Sequence, residues 1–193
     1  AMRQGKGIAN GTINRELALL RRAFNLGRIS TPPRVARVPH IPTLEENNVR
    51  KGFFEHEAYA AMRAALPADL APVLTFAYHT GCRRGEILSL QWPQVELMER
   101  VVRLEPGTTK SDEGRTIPLT GELYETLAMQ RAIRDEKHPG CPWVFFWHDT
   151  GRRIRAFRGA WEAACLKAGL WDGDEKTGKP AKLFHDLRRT GVR

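Results

Sequence analysis

Thr80-Gly81-Cys82-Arg83-Arg84-Gly85-Glu86-Ile87-Leu88 sets two adjacent arginines at the head of an apolar stripe. The pattern predicts a short helix over 83–90 that ends at Trp92-Pro93. On it, Arg83, Glu86, Ile87 and Leu90 share one face at i, i+3, i+4 and i+7. A cation at a helix N-terminus opposes the macrodipole, so Arg83 requires an anion nearby. Glu86 can be that anion in a purely structural pair. Alternatively, Glu86 steadies the guanidinium while its planar fork faces an external phosphate. These nine residues alone leave both readings open.

Upstream of this stretch, the periodicity predicts helices over 55–66 and 68–80, the second punctuated by Gly81. Downstream, Val101-Val102-Arg103-Leu104 and Arg115-Thr116-Ile117-Pro118-Leu119 read as two strands joined by the polar turn Ser111-Asp112-Glu113-Gly114. Helical spacing returns over 121–137, a strand is expected over 144–147, and further helices over 155–168 and 183–192. The predicted class is mainly α with a small antiparallel β-sheet, that is, α+β.

Before all this lies a separate piece. Residues 12–26 predict an amphipathic helix with Thr12 as N-cap, Ile13, Leu17, Leu20 and Phe24 at helical spacing, and Gly27 where it stops. Thr31-Pro32-Pro33 opens a stretch running through Pro39 and Pro42 that reads as an extended linker. A single helix followed by a linker reads as the end of a preceding domain, with a boundary expected between residues 48 and 49.

Composition narrows the class. Of 193 residues, 41% are hydrophobic, enough for a packed core rather than a disordered chain. No apolar run approaches the ~18 residues of a membrane span, and no secretory signal opens the chain. Cys82, Cys141 and Cys165 lie far apart with no CxxC pair, which predicts neither a zinc ribbon nor a disulfide framework. A reducing, cytoplasmic setting is the simplest expectation. The formal charge is +9. It is uneven: residues 1–50 carry nine basic and three acidic side chains, 51–150 eleven and fourteen, and 151–193 eleven and five. Basic ends around a slightly acidic middle point to a polyanionic partner.

Two further places concentrate charge. Thr109-Lys110 precedes the hairpin turn, with Arg115 following, and a lysine at a hairpin tip can reach a ligand and donate a proton. His185-Asp186-Leu187-Arg188-Arg189-Thr190 sets His185 and Arg188 at i and i+3, where both can meet one phosphate. Other features read as structural. Trp143, Phe145, Phe146 and Trp147 are expected in the core, and His79, His138 and His148 lack metal-ligand spacing. The run Arg152-Arg153-Arg155-Arg158 reads as a solvated helix start that becomes a phosphate contact in a DNA-binding protein.

Individually weak, these motifs are specific in their order. T-G-x-R-R-G-E-[IL], then L-x-W, then T-K before a strand reading R-T-I-P-L, then H-D-L-R-R-T resembles the catalytic domain of the tyrosine recombinases, the phage integrase family. The resemblance covers roughly residues 50–193. It implies that residues 1–48 are the end of that family's core-binding domain plus linker, and that 49–193 are the catalytic domain. It implies a site-specific recombinase that breaks and rejoins DNA strands through a 3′-phosphotyrosine. Arg83 and Arg188 would hold the scissile phosphate, Lys110 would protonate the leaving 5′-hydroxyl, and His185 would assist proton transfer, with Glu86 orienting Arg83. Arg84, Arg115, Arg152, Arg153 and Arg189 would contact the DNA around it. The implied partners are double-stranded DNA and further copies of the protein in a tetrameric synapse, with no membrane, metal or cofactor. Fixed cations suit phosphoryl transfer, which gathers charge on the equatorial oxygens.

One departure stands out. The family's nucleophilic tyrosine follows the H-x-x-R motif, whereas Tyr59, Tyr78 and Tyr124, the three tyrosines here, all precede it. The expectation is a C-terminally incomplete catalytic domain that binds DNA but forms no covalent intermediate. A type IB topoisomerase-like enzyme and a non-catalytic DNA-binding recombinase fragment are the alternatives.

Overall fold

The computed structural model describes residues 5, 7–46, 52–104 and 114–191. The chain divides into two compact units, Ala1–Lys51 and Gly52–Arg193.

In the first unit, α1 spans Asn10–Ile29 after Ala9 as N-cap, so it begins before Thr12 and runs through Gly27. Gly27 serves a close approach instead of a helix stop. A Cβ there would lie 2.9 Å from a Val35 methyl, and its carbonyl accepts from both Ser30 Oγ and the Arg34 N–H. The proline-rich stretch then turns back along the helix without secondary structure of its own. Arg21 donates to the Ile41 carbonyl at 2.6 Å, and the Asn14 side chain both donates to and accepts from the Leu44 backbone. Of the expected stripe, Ile13 is buried, whereas Leu20 is 47% exposed beside exposed Leu19, Leu26 and Ile29.

The second unit is built around α3 (Ala71–Thr80), which carries Val73, Leu74, Thr75, Phe76 and Ala77 buried in unbroken succession. A helix buried all round must be wrapped on all sides. It packs against α2 (His56–Ala65), α4 (Arg84–Leu88), α5 (Gly121–Lys137) and α7 (Leu187–Thr190). Gly81 closes it in the left-handed conformation at φ 60°, donating its N–H to the Ala77 carbonyl.

Beside this core lies a three-stranded antiparallel sheet in the order β1 (Val95–Glu96), β2 (Val101–Leu104), β3 (Arg115–Pro118). Val102 pairs with Ile117 and both face inward, whereas Arg103 and Thr116 face outward. This is the expected hairpin with one added edge strand, too short for alternation to reveal it. The turn between β2 and β3, with Lys110 in it, lies outside the described residues.

Three expected elements differ. Residues 144–147 form no strand and make only an isolated bridge between Phe146 and Arg153. Val144, Phe145 and Phe146 are all buried, so they fill the core as a run instead of alternating across a sheet. The helix expected from 155 begins at Arg158 as α6 (Arg158–Lys167), because Arg153 and Ile154 are taken up by that bridge and the core. The last helix is broken: a 3-10 turn, Phe184–Asp186, precedes α7. The Asp186 carboxylate accepts the Leu183 N–H at 2.8 Å and so starts a new turn inside the predicted span. A small hairpin, β4 (Trp171–Asp172) with β5 (Lys179–Pro180), was not expected from the sequence.

The end of α7 meets the end of α3 backbone to backbone. A Cβ on Gly191 would lie 2.4 Å from the Gly81 nitrogen, and one on Gly81 would lie 3.1 Å from the Arg188 carbonyl oxygen. Gly191→Ala therefore forces the two helix ends apart and is expected to cost about 1–3 kcal/mol, read from the urea midpoint. Gly85→Ala, which meets nothing within 4 Å inside α4, is expected to raise stability by about 0.5–1 kcal/mol.

Candidate active site

Arg83 is the N-cap of α4, extended at φ −69° and ψ 145°, and so stands just outside the helix it was expected to head from within. Its N–H donates to Glu86 Oε2 at 2.9 Å, and its Nη1 donates to Glu86 Oε1 at 2.8 Å. The Glu86 carboxylate thus caps α4 from its third position while gripping the guanidinium beside it. Both readings of the pair hold geometrically: the ion pair forms, yet a third of the Arg83 side chain stays exposed.

A second arginine shares that carboxylate. Arg115, at the first position of β3, brings Nη2 to 3.7 Å from Glu86 Oε2 and donates to Cys82 Sγ. The sheet register explains how it arrives, since Arg115 pairs with Leu104 at the end of the ladder. Sequence reasoning set it among the outlying DNA contacts; the fold joins it to Arg83 and Glu86. Burial acts to raise the Glu86 carboxyl pKa. The hydrogen bonds from the Arg83 side chain and backbone and the charges of Arg83 and Arg115 outweigh that, so it is held below the usual carboxylate range.

Arg188 comes from the other end of the unit. Its Nη1 donates to the Gly81 carbonyl at 3.2 Å, across 107 residues of sequence, which sets it two residues from Arg83 along the α3–α4 connection. His185 sits exposed in the 3-10 turn just before α7. That turn is anchored from behind: Asp186 is buried, Lys182 Nζ donates to the Phe53 carbonyl, and the Phe54 N–H donates to Thr190 Oγ1 at 3.0 Å. Arg84 and Arg189 are exposed next to Arg83 and Arg188.

Arg152 and Arg153 do not join this group. They line a separate hollow in which Arg153 Nε donates to the Leu88 carbonyl at 2.6 Å. Sequence reading also passed over Gly191 and Asp186, which shape the site without touching solvent chemistry. The spacing Leu183-x-x-Asp186 carried a capping signal for the latter, whereas nothing local marked the former.

The other reactive groups are held inert. Burial pushes the Cys82 thiol up against the opposing pull of Thr80 and Arg115, so it stays neutral at pH 7. Burial likewise pushes Tyr59 up to about 12 although its bond to Thr75 works the other way. Tyr59 also donates to Glu122 at 2.9 Å and stacks on Tyr78, with ring centroids 4.0 Å apart. Tyr124 lies under the Arg100 guanidinium at 4.5 Å. Among the described residues, no three His, Cys, Asp or Glu side chains gather as a metal site, and no helix is long and apolar enough to cross a membrane.

The family model described as the phage integrase family matches residues 48–192. The integrase of Salmonella phage P22 is 25% identical over 166 residues, covering 80% of this chain and 39% of that protein. The shufflon-specific DNA recombinase of Escherichia coli is 26% identical over 196 residues, covering 98% of this chain and 45% of that protein. The chain thus spans less than half the length of these relatives. Among solved structures, the Tn1549 transposon integrase in complex with a circular intermediate DNA superposes with a TM-score of 0.73 at 17% identity, covering 98% of this chain and 68% of that one. A lambda integrase dimer bound to a COC′ core site does so at 0.67 and 19%, covering 100% and 53%. The shared fold is mainly helical with a small antiparallel sheet.

Because the Glu86 carboxyl is held low, its contribution to folding is in place above about pH 4.3 and is lost as pH falls through the lowered value. Glu86→Gln leaves Arg83 and Arg115 without their anion and is expected to cost about 1.5–3 kcal/mol at pH 7. The gap to wild type, followed by urea unfolding, should narrow as pH falls below about 4.3 and through the lowered native value. A gap of constant size across that range counts against the pairing.

Proposed function

The chain belongs to the phage integrase family, and on that premise we propose that it carries the phosphate-binding part of a DNA strand-exchange site in a site-specific recombinase. The observation that carries this reading is that Arg188, from the far end of the unit, donates to the Gly81 carbonyl two residues before Arg83.

Two guanidiniums so placed bind the non-bridging oxygens of a scissile phosphate. As a tyrosine oxygen attacks phosphorus, charge builds on those oxygens, and donors already fixed by Glu86 and the Gly81 carbonyl meet it with little reorganisation. The new bond is a 3′-phosphotyrosine, and the bond that breaks releases the 5′-oxygen, which takes a proton from Lys110. His185 holds a phosphate oxygen and relays the nucleophile's proton. The second round reverses these roles, so the 5′-hydroxyl of another strand attacks the phosphotyrosine. Tyr59, Tyr78 and Tyr124 are engaged as described above, so the proposed nucleophile is a tyrosine outside these 193 residues. Arg84 and Arg189 reach flanking phosphates of double-stranded DNA, with affinity that falls steeply with salt. Residues 1–48 are assigned to the end of a core-binding domain and its linker, which accounts for the apolar exposure of Leu19, Leu20, Leu26 and Ile29. Strand exchange between two sites implies four copies, one for each strand cut.

A nicked suicide duplex tests this. The 193-residue chain is expected to bind it without covalent trapping, and the longer natural protein to trap it. In that longer protein, Arg83→Ala or Arg188→Ala should slow trapping by about 10²–10³-fold. Lys110→Ala should slow cleavage of the normal strand and be largely rescued by a 5′-thiol leaving group, which hardly needs protonation. Trapping by the 193-residue chain, or trapping indifferent to Arg83 and Arg188, rules the assignment out.

A further inference from the structure

The hollow lined by Trp143, Trp147, Arg152, Arg153 and Arg155 lies apart from the cluster of Arg83, Glu86, Arg115 and Arg188. Its volume is about 890 Å³, within the range of small-molecule sites and far more than a lone phosphate fills. A tight turn makes it: the Thr150 and Gly151 N–H groups donate to the Trp147 carbonyl, and the chain returns antiparallel so that Arg153 faces Phe146.

Its walls are unusual for a solvated arginine run. Arg153 is pinned, with Nε on the Leu88 carbonyl at 2.6 Å and its guanidinium 4.6 Å from the centre of the Trp143 ring. Among the described residues, none of Arg152, Arg153 and Arg155 has a carboxylate partner. Two acids are present. Asp69 is engaged by His148 Nδ1 at 3.0 Å, and Asp149 stands exposed at the turn. Two half-buried indoles next to three arginines that make no ion pair among the described residues form a surface for a ligand with both a flat π-face and a phosphate.

We propose that this hollow is a nucleotide subsite that takes one unpaired base of the bound DNA, stacked on the tryptophans, with its phosphate on Arg152 and Arg155. The proposal rests on the DNA-binding reading above and adds an unstacked base to it. A paired base offers its faces only to its neighbours, so the occupant must be out of the stack. Position supports this. Arg153 holds the C-terminal end of α4 and Arg83 caps its start, roughly 7.5 Å away along the helix. That span is about two nucleotides of axial rise, close enough for a strand that opens beside the cut.

Three fluorescent duplexes of one sequence decide the matter: fully paired, with one unpaired adenine, and with an abasic unit in place of that adenine. The 193-residue chain is expected to bind the unpaired adenine about tenfold tighter than the other two. Trp143→Ala should abolish that preference while paired-duplex affinity stays within about twofold. Trp147→Phe, which keeps a stacking face and the packing, should retain it. Arg188→Ala should weaken all three probes alike. Equal binding of the three probes by the unaltered chain overturns the subsite and leaves the recombinase reading standing. A preference that survives Trp143→Ala also overturns it, and failure to bind any probe overturns both.

Discussion

The approach of Gly81 to Gly191 is the contact on which the candidate site depends. Two backbones meet where neither residue has a side chain, and this lets α7 rest on the C-terminal end of α3. Once that contact is made, Arg188 reaches the Gly81 carbonyl, and Arg83 follows two residues later at the start of α4. A methyl group on Gly191 would fall on the Gly81 nitrogen, so the separation of the two arginines is set by the backbone itself. The left-handed turn at Gly81 serves the same end, stopping α3 and redirecting the chain so that Arg83 emerges extended.

Electrostatics then sets what the cluster can bind. Glu86 is the buried carboxylate for Arg83 and Arg115 together, while Arg188 is held by a neutral carbonyl. Among the described residues, the three arginines keep excess positive charge over the single carboxylate that Glu86 supplies. Such an arrangement is a standing cost to the fold, partly offset by hydrogen bonds, and it is relieved when an anion arrives. The neutral Cys82 thiol under Arg115 adds a polarisable contact but no charge.

Hydrogen bonds behind the site hold these groups in place. Phe54, Lys182, Asp186 and Thr190 tie the start of the second unit to the segment carrying His185 and Arg188. α3, buried from Val73 to Ala77, links that end of the unit to α4. The functional side chains come from an N-cap, a strand end, a short turn and the short helix α7, whereas the core behind them comes from the longer helices.

Much of this was legible in the chain. The helices over α2, α3 and α5, the β2–β3 hairpin and the class of fold follow from periodicity, because apolar spacing and turn residues are local properties. The ordered motifs around Arg83, Arg115 and His185–Arg188 identified the family before any geometry was known. The sequence also marked Glu86 as a partner for Arg83 by its i, i+3 spacing, and the pair forms across the N-cap of α4 instead of along a helix face. Other features needed the tertiary structure. Whether the run from Val144 to Phe146 formed a strand or filled the core turned on what packed against it, and all three residues were enclosed. Gly27 looked like a helix stop and proved to be a gap for Val35, a residue supplied by the returning chain. Arg115 joined Glu86 through the register of a sheet, and Arg188 joined Gly81 across 107 residues. Periodicity reports which face of an element is apolar; it carries no information on which distant backbone will come close enough to need a glycine.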